Sequence, residues 1–263
     1  MSGHRAVEPV CGVRVRMTVA YVGTGFFGWQ IQPDRRTVQG ELKREMSRLM
    51  GREVSVVGAG RTDTGVNARG QVAHVTVQTE AEANRIARAL PGMLPDDMAI
   101  SDVRVVPVDF NARFSAVARR YSYHLLLGRD IFRHLCWQIA RPLDRAAMDE
   151  AAAHFRGSLD CTSLCKTASL KETGNLCVLD LCAFEWGGDS AIFHVRANRF
   201  LHHMVRIMVG TLVEVGLGRR SPQDIPDLLA ARDRSRAGAM APAEGLFLEE
   251  VYYPDTPGEG ENA

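Results

Sequence analysis

No apolar run in this 263-residue chain approaches the roughly 18 residues that a membrane-spanning helix needs. Met1 to Val10 also lacks the hydrophobic stretch of a secretion signal. We therefore expect a cytoplasmic protein with no membrane contact. There is no GxxxxGK followed by Ser or Thr and no GxSxG, and the one GxGxxG, Gly23 to Gly28, follows the first predicted strand without opening a helix, the next of which is capped by Thr37. Nucleotide-fuelled, dinucleotide-dependent and α/β-hydrolase chemistries lose their usual support. A zinc deaminase would need His or Cys two residues before Glu, and Pro-Cys-x-x-Cys, and neither is present. Lysine is scarce, three of 32 basic residues, so positive charge is almost entirely guanidinium.

Cysteine is present without a pattern that gives it work. The six are Cys11, Cys136, Cys161, Cys165, Cys177 and Cys182. Without a secretion signal they read as reduced thiols. The last four resemble a zinc pattern only loosely, because structural sites use tighter pairs, so we expect small core residues and no metal.

With 46% hydrophobic and 24% charged residues, the chain reads as soluble and globular, with two halves sharing a cleft. The net charge of +1 hides segregation. Residues 111–145 hold seven arginines against Asp130 and Asp144, residues 196–220 five against Glu214, and residues 244–263 six acids and no base. A confined basic footprint of this kind suits a nucleic-acid binder, as well as a solvated surface in an arginine-favouring protein.

Val13 to Tyr21 alternates apolar and polar residues, the period of a half-buried strand. Thr37 caps a predicted helix carrying Val38, Leu42, Met46 and Leu49 and ending at Gly51. A short strand at Val54–Val57 precedes a glycine-rich loop, Gly58 to Gly70, and alternation resumes at Gln71–Thr79. A helix over 81–90 and a strand over Asp102–Val108 complete the first half. The second half reads as a strand (Val117–Leu127), a helix (Leu143–Phe155), an antiparallel pair (Leu176–Trp186 with Ala191–Ala197) and an apolar helix (Phe200–Val215). Ser221 and Pro222 then start a helix, and Leu246–Tyr252 is a last strand. The expectation is α+β: two lobes, 13–110 and 111–253, each a mostly antiparallel sheet with helices. The active cleft lies between them, with an N-terminal tail at 1–12 and a disordered tail at 254–263.

Three clusters carry chemistry. Asp63 lies on the glycine-flanked loop with Arg61 two residues earlier, and a nearby guanidinium favours an ionised carboxylate ready as nucleophile or base. The same residue types also suit an aspartate that organises its own turn, and both readings stand. Arg119-Arg120-Tyr121-Ser122-Tyr123 puts two tyrosines on one strand face beside cations, which fits an unstacked base or a core pair equally. Asn198 to Arg206 gathers Arg199, His202, His203 and Arg206 at the start of the apolar helix. On a helix, adjacent His202 and His203 point about 100° apart, which argues against a shared metal.

Taken in order, the segments resemble the tRNA pseudouridine synthase A family. The matching blocks are Tyr21 to Gln30, Thr37 to Leu42, Gly60 to Ala68, Gly70 to His74, Asp109 to Ala116, Arg120 to Tyr123, Ala197 to Arg206, Val209 to Leu212 and Ala241 to Leu246. The resemblance implies a homodimer that isomerises uridine to pseudouridine at positions 38, 39 and 40 of the tRNA anticodon arm, without a cofactor. It implies Asp63 as catalytic nucleophile and Arg61 as the arginine that holds the flipped nucleotide. Tyr121 would stack on the target base, Arg206 would pair with the carboxylate, and Leu246 would line the pocket. Arg113, Arg120, Arg133 and His202 are the expected RNA contacts. Two positions depart from the family: Asn67 stands where it usually has His, and Phe27 where His is common. Ser163 to Lys166 and Gly174 to Val178 also depart, which bears on which tRNA positions are modified.

Overall fold

The computed structural model describes residues 12–166 and 174–254. The expected N-terminal tail except Gly12, and the expected C-terminal tail except Pro254, lie outside the described residues. The first half comprises strand β1 (Val13–Tyr21), helix α1 (Val38–Met50), β2 (Val56–Gly58), β3 (Asn67–Val77), α2 (Glu80–Ala89) and β4 (Met98–Val106). The second comprises β5 (Ala118–Leu126), β6 (Trp137–Gln138), α3 (Arg145–Ala153), β7 (Gly157–Asp160), β8 (Leu176–Trp186), β9 (Ser190–Ala197), α4 (Met204–Gly216), α5 (Asp224–Ala231) and β10 (Leu246–Tyr252). The architecture is α+β. Local signals account for much of it. β1 buries Val15, Met17 and Val19 in alternation, and α1 starts where Thr37 Oγ1 accepts the Gly40 N–H at 3.2 Å and stops at Gly51 with φ of 68°.

The strands join one sheet in the order β4-β1-β3-β10-β5-β9-β8-β7, with β2 beside β3 and β6 beside β5. β10 is last in sequence but central in space. It runs antiparallel to β5 along its length and parallel to β3 only at Phe247–Asn67 and Leu248–Ala68. β3 therefore begins four residues earlier than its alternation predicts. Gly70, which read as a loop glycine, lets the Glu249 backbone pass where any Cβ would collide with its carbonyl oxygen. β4 is likewise shifted toward the N-terminus, and its Asp102 sits at φ of 49° beside an irregular register with β1.

Two hydrophobic clusters back the sheet. One gathers Val15, Met17, Leu42, Met46 and Ile86, the other Phe155, Phe193, Met208 and Leu212. β10 gives Leu246 to the second and Leu248 to the first, and Tyr121 is the half-buried aromatic packed against both.

His74 of β3 anchors the connection between the halves. Its buried Nδ1 accepts the Ala112 N–H at 3.0 Å, Tyr253 donates to the Ala112 carbonyl at 2.7 Å, and Arg14 Nη1 donates to the Phe110 carbonyl at 2.9 Å. Burial first, then the Arg14 charge, pushes the imidazole down from 6.5 to about 4. The unfolded chain then binds a proton that the folded one refuses, so this stability is complete above about pH 6.5 and is lost as pH falls toward about 4. The loss is at most about 3 kcal/mol. His74→Gln should flatten the melting-temperature profile across that window relative to wild type. Parallel profiles would assign the acid sensitivity to another group.

Candidate active site

Asp63 lies on the loop between β2 and β3, and its neighbours determine where it points. Thr62 is buried, with its hydroxyl 2.8 Å from the Tyr21 hydroxyl and its carbonyl accepting the Trp29 N–H at 3.1 Å. Gly28, at φ of 80°, brings its backbone so close that a Cβ there would stand 2.6 Å from the Thr62 oxygen. On the other side the Val66 N–H reaches the Asp63 carbonyl at 3.2 Å, closing a turn whose third residue, Gly65, has φ of 81°. The turn is thus made by backbone. The Asp63 carboxylate makes no backbone hydrogen bond among the described residues, so the turn-organising reading falls away.

What faces the carboxylate comes from the second half. His202 Nε2 lies 3.2 Å from Oδ1, His203 Nε2 lies 3.4 Å from Oδ2, and Arg206 Nη1 lies 3.7 Å from Oδ2. Arg206 is held by its Nε bond to the Ala241 carbonyl at 2.8 Å, while its own carbonyl accepts the Ala241 N–H at 3.0 Å. The helix expected from Phe200 instead starts at Met204, because His203 adopts φ of 67°, which a right-handed helix does not admit. The two imidazoles are therefore not 100° apart on a helix. Their ring centroids are 3.9 Å apart and both reach Asp63. Burial lowers the His203 pKa, and the Asp63 carboxylate opposes that shift. The sequence neighbour Arg61 is exposed and has no ion pair among the described residues, so the cation beside Asp63 is Arg206 and not Arg61.

Tyr121 stands on the same side of the sheet, edge-on to Phe200 with centroids 5.0 Å apart. Burial, then the Asp63 charge, pushes its phenol up to about 12. Leu246 is buried opposite Tyr123 in the β5–β10 register. Asn67 closes the site from behind: its Oδ1 accepts the Gly23 N–H at 2.8 Å, and its Nδ2 donates to the Glu244 carbonyl at 2.7 Å and the Leu246 carbonyl at 3.3 Å. Asp63, His202 and His203 offer ligand atoms within 4.8 Å of one another, close enough for a divalent ion, although Arg206 alongside would repel one.

A family profile described as tRNA pseudouridine synthase matches residues 17–115 and 151–254. The chain belongs to the tRNA pseudouridine synthase family. A tRNA pseudouridine synthase A of Brevibacillus brevis is 42% identical over 243 residues, covering 91% of this chain and 99% of the relative. One of Geobacillus kaustophilus is 43% identical over 248 residues, covering 92% and 95%. One of Azorhizobium caulinodans is 42% identical over 250 residues, with the same coverages. The protein is accordingly an isomerase.

The expected RNA contacts of this pseudouridine synthase are dispersed. Arg113 is exposed near the Asp63 loop, since Arg119 Nη2 bridges the Arg113 carbonyl at 3.0 Å and the Ala59 carbonyl at 3.2 Å. Arg120 alternates with Tyr121 and so points to the opposite sheet face, where it meets Glu250 at 3.4 Å. Arg133 pairs with Asp189 at 2.9 Å. Sequence reasoning gave no role to Asn67, Thr62 or Arg119, whose work is to hold backbone carbonyls and amides. No short motif announces such bonds, although the uncommon Asn67 was a visible departure. Gly28→Ala forces both a strained φ, about 1–2 kcal/mol, and a clash onto Thr62. We expect kcat for pseudouridine formation to drop at least about tenfold with melting temperature lowered by only a few degrees. An unchanged kcat would show that this contact does not position Asp63.

Proposed function

We propose that the protein converts uridine to pseudouridine at positions 38, 39 and 40 of the tRNA anticodon arm, with Asp63 as the catalytic nucleophile or base. The observation that carries this reading is a carboxylate free of structural hydrogen bonds, flanked by Arg206, His202 and His203 and overlooked by Tyr121. The reaction breaks the C1′–N1 glycosidic bond, turns the uracil and joins C1′ to C5. The C5 proton leaves and N1 gains one, so composition and oxidation state are unchanged and no cofactor has a part to play.

A base inside a helix cannot turn, so the target is flipped out at a cost of a few kcal/mol. Arg61, exposed and without an ion pair among the described residues, is available to hold the flipped nucleotide and fill the space it leaves. Asp63, with Arg206 beside it at 3.7 Å, acts on the sugar. The neutral Tyr121 ring stacks on the detached uracil and keeps it in place, with Leu246 as pocket wall. His202 and Arg113 take phosphates near the site, and Arg120 and Arg133 supply longer-range attraction from ion pairs that RNA must compete with. A homodimer in the cytoplasm is the working form. No described helix is long and apolar enough to cross a membrane.

Asp63→Asn should abolish pseudouridine formation in transcribed tRNA, read by mapping modified positions, and leave tRNA affinity within about tenfold. A mutant with wild-type turnover would remove Asp63 from the chemistry. Because Arg113 has no acidic partner among the described residues and Arg120 pairs with Glu250, Arg113→Ala should reduce the salt slope of tRNA binding by about one and Arg120→Ala by less. Equal slopes would place the RNA path across both sheet faces.

A further inference from the structure

Most arginines of this protein are already engaged. Arg36 is bound to Asp97 at 2.6 Å, Arg52 to Glu82 at 2.6 Å and Arg196 to Asp180 at 2.8 Å. Arg119 and Arg145 spend their guanidinium groups on backbone carbonyls. Against this background two exposed phenylalanines are each overlaid by an arginine that has no acidic partner among the described residues. The Arg35 guanidinium lies 4.5 Å from the centroid of Phe27, and that of Arg113 lies 5.4 Å from the centroid of Phe114. Phe27 is 42% exposed and Phe114 is 78% exposed.

Both pairs adjoin the Asp63 loop, at different places. Phe27 precedes Gly28, whose backbone presses on Thr62 and Asp63. Its own backbone is fixed, because its N–H donates to the Arg36 carbonyl at 2.8 Å and its carbonyl accepts Gln32 Nε2 at 2.7 Å. Arg113 is tied to Ala59, at the other end of the loop, through the two carbonyl bonds of Arg119. Asn111 Oδ1 accepts the N–H groups of both Arg113 and Phe114, at 3.0 and 3.1 Å, so this pair too stands on an ordered turn. An exposed aromatic ring is ordinary by itself. Two rings, each with an uncompensated cation and a rigid base, beside one reactive carboxylate form what a single-stranded nucleic acid requires: a face for the base and a charge for the phosphate.

We propose that Phe27 with Arg35, and Phe114 with Arg113, are two stacking platforms that receive unpaired tRNA bases flanking the flipped uridine. This rests on the tRNA-modifying reading above. Neither ring takes part in the bond changes, and both act by binding and positioning the strand.

The test uses the full-length protein, transcribed tRNA, and the single and double variants Phe27→Leu and Phe114→Leu, which keep apolar bulk but remove the ring. Each single variant should weaken tRNA affinity and raise KM about tenfold with kcat nearly unchanged, and the double variant should multiply the two losses. Phe27→Tyr and Phe114→Tyr should restore affinity, which a merely structural role for an exposed ring would not predict. Leu variants that bind tRNA like wild type would overturn the proposal. If a Leu variant fails to fold, Arg35→Gln and Arg113→Gln decide instead: each should lower the salt slope of binding by about one, and unchanged slopes refute the platforms. If the wild type forms no pseudouridine, the functional reading falls, and the affinity series still decides whether these rings bind RNA.

Discussion

The site exists because the last strand is placed between the two halves. β10 completes the sheet by pairing with β5 over its length and with β3 at two positions, so the loop that carries Asp63 is brought beside α4. Asn67 makes that junction specific. From the first residue of β3 it bonds the Gly23 amide on one side and the Glu244 and Leu246 carbonyls on the other, all from a buried position. Buried amide groups left unpaired cost about 1–3 kcal/mol each, so the three bonds hold one arrangement against looser alternatives. The Asn67 side chain can do this because an amide donates and accepts at once.

From that junction the electrostatics follow. Asp63 is one carboxylate facing a guanidinium and two imidazoles, none of which is local in sequence. The left-handed His203 delays α4 by four residues and turns both rings toward the loop. Backbone strain at a single non-glycine residue is therefore part of how the site is assembled, a pattern expected where geometry serves function.

Arginine content is a poor guide to RNA contact in this protein. Residues 111–145 looked strongly basic because the count stopped at the segment's ends. Folding brings Glu250 to Arg120 and Asp189 to Arg133, and it turns Arg119 and Arg145 onto backbone carbonyls. Among the described residues the cations left without acids include Arg35, Arg61 and Arg113, and these lie in or beside the Asp63 loop. The planar fork of arginine makes this double use possible, since it can bond carbonyls and carboxylates and can also lie over aromatic faces.

Strand alternation, helix caps at Thr37 and Gly51, and the ordered blocks around Asp63 were legible in the sequence, because each depends on residues within a few positions of one another. They were enough to indicate an α+β fold and the tRNA pseudouridine synthase family. The pairing of Arg206 with Asp63 was legible only through those blocks, while the start of β3 at Asn67, the late start of α4 and the approach of both His202 and His203 to Asp63 were not legible. Gly70 reads as a loop until Glu249 is beside it, and His203 reads as helix until its φ is known. These features depend on backbone contacts between residues far apart in sequence, and only the closed sheet determines which distant groups meet.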